Sequence, residues 1–426
     1  MSYIAETTSV LFKGAPASAG RSRSRGIAVS RTVVLLGLTS LLTDISAEMV
    51  ATILPVYVVF ALGATPLAFG VLDGIYQGAA ALIRIASGVT ADRRSRHKPV
   101  AAVGYGLSAV TKLGFVAVGG AFAGLAAMTF IDRTGKGIRT APRDAMISLS
   151  TKREQLGQAF GVHRAMDTAG AVIGPLIAVG LLLVAPHRYD VVFIVSFAFA
   201  VVGFAVLTLL VEAPRATRDP EADQVTLGAA LRGAAGLLGD RRFRILVICG
   251  GALGLVTLSD GFIYLGIQRR LDFAPPLLPL LYVGTALVYM SLAIPMGRLA
   301  DRVGRGRVFV LGYALLAIVY TSLLLPTFGP AQCVGYLAVL GAFYAATDGV
   351  LMALASALLP ETLRASGMSI LVAAVSIGRL VASILFGALW TLKGFDTAVV
   401  VFIAALVVTV AASGLALRIA PRRAHV

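Results

Sequence analysis

The chain has 426 residues, is 58% hydrophobic and only 14% charged, and has a mean hydropathy of +0.88. A water-soluble domain carries roughly a quarter of its residues as charges, so this chain lacks the polar surface to cover itself in water and reads as a protein dissolved in lipid. Its net charge of +16 does not point to nucleic acid, because the basic residues fall in short clusters between apolar runs, as membrane loops arrange them.

Residues 1–31, with Arg21, Arg23 and Arg25, read as a disordered basic cytoplasmic tail. The first long apolar run starts near Thr32, is longer than a signal-peptide core and has no convincing cleavage site, so no cleaved leader is expected. Crossing about 30 Å of hydrocarbon takes roughly 20 apolar residues. By that measure residues 32–211 hold six spans, at 32–61, 66–91, 99–119, 122–147, 158–184 and 190–211.

Span one carries Asp44 and Glu48, which lie about 40° apart on one helical face. An ionisable group at mid-bilayer costs roughly 2.5–3.5 kcal/mol on insertion scales, so it is paired, wet or functional. Two close carboxylates repel, which suits proton uptake and release; salt bridges to other helices are the alternative. Span two places Asp73, Gln77 and Arg84 on one face, with Arg84 a natural partner for Asp73 or a span-one acid.

Span four is the most charged, with Asp132, Arg133, Lys136, Arg139, Arg143 and Asp144 within about 140° of arc. Such a face must point into the bundle or its cavity. Arg143 and Asp144 are expected to mark the cytoplasmic end of the helix. Gly135, Gly137 and Pro142 are expected to loosen it and free backbone groups for an ion. Span five opens with His163 and Asp167 on one face, read as a protonation switch or a paired structural histidine. Gly170, Gly174, Pro175 and Gly180 follow as a small-residue face for close packing, with the proline bending the helix.

Residues 212–242, with Pro214 and Pro220, read as a cytoplasmic linker, in which 227–238 has the pattern of an interfacial helix. Six further spans occupy residues 243–418, at 243–267, 276–299, 308–327, 331–357, 367–391 and 397–418, before a short cytoplasmic tail at 419–426. This half is more apolar, and Asp260, Asp348 and Arg379 are its principal intramembrane charges. Tyr57, Tyr76, Tyr264 and Tyr344 suit a cavity wall, although ordinary packing explains most of them. Cys249 and Cys333 sit in apolar runs and read as small buried hydrophobes, not as a disulfide or metal pair.

The halves repeat. Gly88-Val-Thr-Ala-Asp92-Arg93-Arg-Ser-Arg96 follows span two, and Gly297-Arg-Leu-Ala-Asp301-Arg302-Val-Gly304-Arg305 follows span eight, 209 residues later; Asp44 and Asp260 stand 216 apart. A near-constant offset implies duplication. In each copy the glycine allows close helix approach, and the Asp–Arg pair at the membrane edge is placed to latch one half against the other. With the termini inside, 25 of the 37 Lys and Arg residues fall in cytoplasmic segments and 4 in outer loops, which fixes that orientation.

The motif G-x-L-A-D-R-x-G-R-x-R resembles the hallmark of the major facilitator superfamily. The copy at Gly297 matches throughout, while the copy at Gly88 has Thr90 for leucine and Ser95 for glycine. The resemblance spans about residues 32–418. It implies an all-α membrane protein of twelve transmembrane helices in two pseudo-symmetric six-helix bundles, working by alternating access. Arg133 to Gly137 is similar to the R-x-x-x-G of helix four that the superfamily associates with proton coupling. Gly170 to Pro175 resembles an exporter motif of helix five, from which Val179 departs.

No G-x-x-x-x-G-K-[ST] occurs, so ion-driven transport is expected and no cofactor or metal is called for. The reading is proton-coupled efflux of a drug-like compound or metabolite by a monomer in the cytoplasmic membrane. Organic-anion or metal-ion transport, in either direction, is the alternative, with a membrane enzyme more remote.

Overall fold

The computed structural model describes residues 30–92, 96–152, 155–213, 236–326, 329–359 and 364–419. Nearly all of the tail at 1–31 and of the tail at 419–426, and most of the linker at 212–242, therefore lie outside the described residues. So does Arg93, and Arg84, Gly88 and Asp92 are described by their backbone alone.

The described residues form helices without a strand. Six precede the linker: α1 (Arg31–Val56, running into a π-turn at Tyr57–Ala61), α2 (Pro66–Asp92), α3 (His97–Val118), α4 (Phe122–Leu149), α5 (Leu156–Val184) and α6 (Tyr189–Ala205). The second half holds α7 in two pieces (Arg241–Leu255 and Asp260–Leu271), α8 (Pro279–Val303), α9 (Arg305–Ser322), α10 (Pro330–Leu358), α11 (Arg364–Lys393) and α12 (Phe395–Ile419). Caps match the sequence. Ser30 accepts from Val33 N at the start of α1, and Asp240 accepts from Arg242 and Phe243 N at the start of α7. Gly304, at φ +111°, makes the turn from α8 to α9 that an L side chain would resist. Nine of these helices are long and apolar enough to cross a membrane; the other three, α2, α4 and α9, carry charges.

The packing repeats with the same offset as the sequence. In the first half α1 packs on α5 and α6, α4 on α2 and α3, and α3 on α6. In the second half α7 packs on α11 and α12, α10 on α8 and α9, and α9 on α12. Twelve helices thus form two pseudo-symmetric six-helix bundles. They meet through α2 against α11 and α5 against α8, a pair of contacts that the same repeat relates.

The α2–α11 contact lies at the end where α1 hands over to α2, called the distal end below. A side chain at Gly74 would stand 2.9 Å from the Leu380 carbonyl, and one at Gly387 would stand 2.5 Å from the Pro66 carbonyl, so the two backbones touch. Ser383 donates to Asp73 at 2.5 Å and Leu67 N donates to Thr391 at 2.9 Å across the same seam. Phe69, Phe262, Phe386 and Trp390 fill it with edge-on rings.

Two expectations are corrected. Span seven is not continuous: α7 breaks at residues 256–259, where Leu258 N donates to the Tyr320 hydroxyl at 2.6 Å and that hydroxyl donates to Val256 O at 3.2 Å. One tyrosine therefore satisfies the freed backbone, and Ser259 caps the second piece. Nor do Gly135 and Gly137 loosen α4, which is unbroken from Phe122 to Leu149. They bring helices together: a Cβ on Gly135 would lie 2.6 Å from Ser108 Oγ, and one on Gly137 would lie 2.8 Å from the Ala80 carbonyl.

Candidate transport pathway

The charged face of α4 turns into the first bundle, and its side chains are partnered in successive layers. Asp132 takes Lys112 of α3 at 2.6 Å, a hydrogen bond from the Thr111 hydroxyl at 3.3 Å, and its neighbour Arg133. The guanidinium of Arg133 lies 4.0 Å from the ring centre of Tyr76. Lys136 is buried one turn on. Arg139 stacks on Tyr105 at 4.6 Å and stands 3.6 Å from Asp44.

Arg143 lies within two turns of the end of α4, near the helix end that the spacing suggested, but it is not solvent-exposed. It is buried, bonded to Asp144 at 2.9 Å and to the Ser40 hydroxyl at 3.3 Å, and 4.0 Å from Asp167. His163 is 1% exposed, with Nε2 3.0 Å from Ser40 Oγ and Nδ1 3.7 Å from Asp167.

Helix α5 presses against α1 at this level. A Cβ on Gly170 would lie 2.8 Å from the Leu41 carbonyl and 3.0 Å from Asp44 Cβ; one on Gly174 would lie 2.7 Å from the Ile45 carbonyl and 3.0 Å from Glu48 Cβ. Pro175 sits inside α5 without ending it. The result separates the two span-one acids. Asp44 meets Arg139 and the carboxyl of Asp167, whereas Glu48 belongs to a different space. Asp44 Oδ2 and Asp167 Oδ1 are buried with no hydrogen-bond donor among the described residues.

Glu48 lines a cavity between the bundles together with Phe69, Asp73, Tyr76, Gln77, Asp260 and Tyr282. Tyr344 donates to Asp260 at 2.6 Å, as Ser383 does to Asp73. A second cavity lies within the other bundle. Asp348 and Arg379 line it with Phe309 and Tyr313, and Asp348 Oδ2 and Arg379 Nε have no hydrogen-bond partner among the described residues.

The second loop motif is described in full. Asp301 pairs with Arg305 at 3.0 Å, and Arg305 also donates to the Ala353 carbonyl at 3.1 Å, which ties α8 and α9 to α10. These contacts stay within one bundle. Arg302 is exposed, and a Cβ on Gly297 would meet nothing within 4 Å. Of the first copy, Arg96 is described with its side chain, and it is exposed.

A sequence model of the Major Facilitator Superfamily matches residues 36–264 and 257–426, nearly the whole chain. The chain belongs to that superfamily. An MFS-type transporter of Methanocaldococcus jannaschii is 29% identical over 374 residues, covering 86% of this chain and 90% of the relative. A Mycobacterium bovis protein is 34% identical over 159 residues, 37% of this chain and 38% of that one. Among solved structures, the nucleoside transporter NupG superposes with a TM-score of 0.76 at 16% identity, covering 91% of this chain and 100% of that one. A bacterial homologue of the lysosomal transporter Spinster gives 0.71 at 15% identity, covering 93% and 98%. These structures share the superfamily fold with this chain. As a multi-pass member of the superfamily, the protein is a membrane transporter of the secondary class.

Within this superfamily member, sequence reasoning missed Lys112, Ser40 and Tyr105 as parts of the charged layers. Lys112 alone carried a signal, as a lone base inside the apolar run of span three. Ser40 and Tyr105 are uncharged, and only their positions beside Arg143, His163 and Arg139 reveal them.

Proposed function

We propose that the protein couples the movement of a small solute to protons, exporting a drug-like compound or metabolite by alternating access across the cytoplasmic membrane with both termini inside. Residues 32–211 and 243–418 act as the two rocking bodies, and 212–242 links them. The observation that carries the proton reading is the meeting of Asp44 and Asp167. Two buried carboxyls, each with one oxygen lacking a donor, are completed by a single shared proton. Arg139 and Arg143 stand at 3.6 and 4.0 Å from them, so losing that proton changes their pull on α4. Lys136 and His163 border the same layers.

Efflux is favoured by the likeness of Gly170 to Pro175 to the exporter motif. The distal seam, closed in this state, leaves the end that holds the termini as the loading side. The loop motifs, with Gly88, Asp92, Arg93 and Arg96 in one half and Gly297, Asp301, Arg302 and Arg305 in the other, are read as gates that engage in the opposite state. Organic-anion transport is the weaker reading, because Arg133, Arg139 and Arg143 already face acids. The test is solute flux in proteoliposomes with and without an imposed pH gradient. Gradient-dependent, saturable flux that Asp44→Asn and Asp167→Asn each abolish is expected. Flux indifferent to the gradient would refute the coupling.

A further inference from the structure

The cavity between the bundles carries a charge signature that goes beyond this reading and deepens it, resting on the protein's being a transporter. Its lining holds three carboxylates, Glu48 from α1, Asp73 from α2 and Asp260 from α7, and no lysine or arginine among the described residues. Asp73 and Asp260 each receive a hydroxyl donor, from Ser383 and Tyr344. Glu48 does not. It is 6% exposed, and its carboxylate makes no hydrogen bond or ion pair among the described residues. The nearby Arg133 pairs with Asp132 and lies over the face of Tyr76.

A buried anion with no hydrogen-bond donor or ion-pair partner among the described residues is costly, and a cationic ligand that pairs with it offsets that cost. The remaining walls are aromatic, from Phe69, Tyr76 and Tyr282, and ring faces favour cations. Nor do the acids converge as metal ligands do: among the described residues no three Asp, Glu, His or Cys side chains come close enough to hold a metal ion. A small hard ion wants six or more oxygens at short range. A larger cation spreads its charge over separated carboxylates and rings.

We propose that this cavity binds an organic cation of the ammonium type, with Glu48 as its counter-ion and Asp260 completing the site from the other bundle. A ligand held from both bundles biases their closure, so the same contacts that select the cargo connect it to the transport cycle.

The test is calorimetric titration of the purified full chain with benzyltrimethylammonium, a permanent cation, alongside benzyl alcohol and benzoate. Saturable binding of the cation alone is expected. Glu48→Gln should weaken it by about tenfold or more, Asp260→Asn should also weaken it, and Asp190→Asn, outside the cavity lining, should leave it unchanged. Asp260→Asn keeps the test decisive if Glu48→Gln does not fold. Absence of cation binding, binding at the parent's strength in both cavity variants, or benzoate binding as tightly as the cation would overturn the proposal. So would binding of Na⁺ or Ca²⁺ that Glu48→Gln removes. None of these failures touches the transporter reading, which gradient-driven flux of other solutes tests separately.

Discussion

Asp44 on α1 and Asp167 on α5 meet carboxyl to carboxyl inside the first bundle, and each keeps one buried oxygen that no donor among the described residues reaches. On the proposed reading, that relationship separates coupling from cargo. The acid four residues on, Glu48, faces the other bundle instead.

Asp167→Asn places an amide N–H where the shared proton would sit, so it should imitate the protonated pair without unfolding the bundle. Gradient-driven flux should vanish while equilibrium counterflow persists. Asp44→Asn should do the same. Counterflow and driven flux measured on one preparation separate a coupling defect from a folding defect.

Lys112 should matter for stability although it lines neither cavity. Removing its ammonium by Lys112→Met leaves Asp132 with Arg133 and one hydroxyl, and breaking a buried pair costs about 3–5 kcal/mol. A clear fall in Tm in detergent is expected, partly restored when Asp132→Asn is added.

Gly174 has no room for a side chain, because a Cβ would lie 2.7 Å from the Ile45 carbonyl. Gly174→Val should cost about 1–3 kcal/mol by overpacking. Gly180, where a Cβ meets nothing within 4 Å, should accept alanine with little change in Tm.

The distal seam depends on Asp73 and Ser383, which join α2 to α11 at 2.5 Å. Ser383→Ala removes the donor and should favour opening of that end. Thiol labelling of a cysteine at Leu67, beside the seam, should become faster than in the parent.

Much of this was legible in the sequence, for reasons that can be named. Charges in an apolar run are rare enough that Asp44, Asp132, Arg133 and Asp348 announce themselves, and a repeated offset of about 210 residues exposes the duplicated bundles. Pairings were less legible. Asp44 and Glu48 share a face in an isolated helix, yet α5 pressed against α1 gives Asp44 to Asp167 and leaves Glu48 in the cavity. Local glycine rules also misled. Gly135 and Gly137 suggested a loosened α4, but their lack of side chains is used for contact with α3 and α2. The break in α7 depends on Tyr320, 62 residues beyond Leu258, which no local pattern predicts.

The central claim is that protonation of the Asp44–Asp167 pair governs rocking of one bundle against the other. Spin-label distance measurement between Thr65→Cys and Lys393→Cys, both exposed at the distal end, tests it without knowledge of the substrate, in a chain with Cys249 and Cys333 replaced by alanine. The account predicts a short distance that gives way to a second, longer population as pH is changed, with Asp44→Asn and Asp167→Asn each holding one population at every pH. A single distance that ignores pH in the parent, or an unchanged response in both variants, would contradict it.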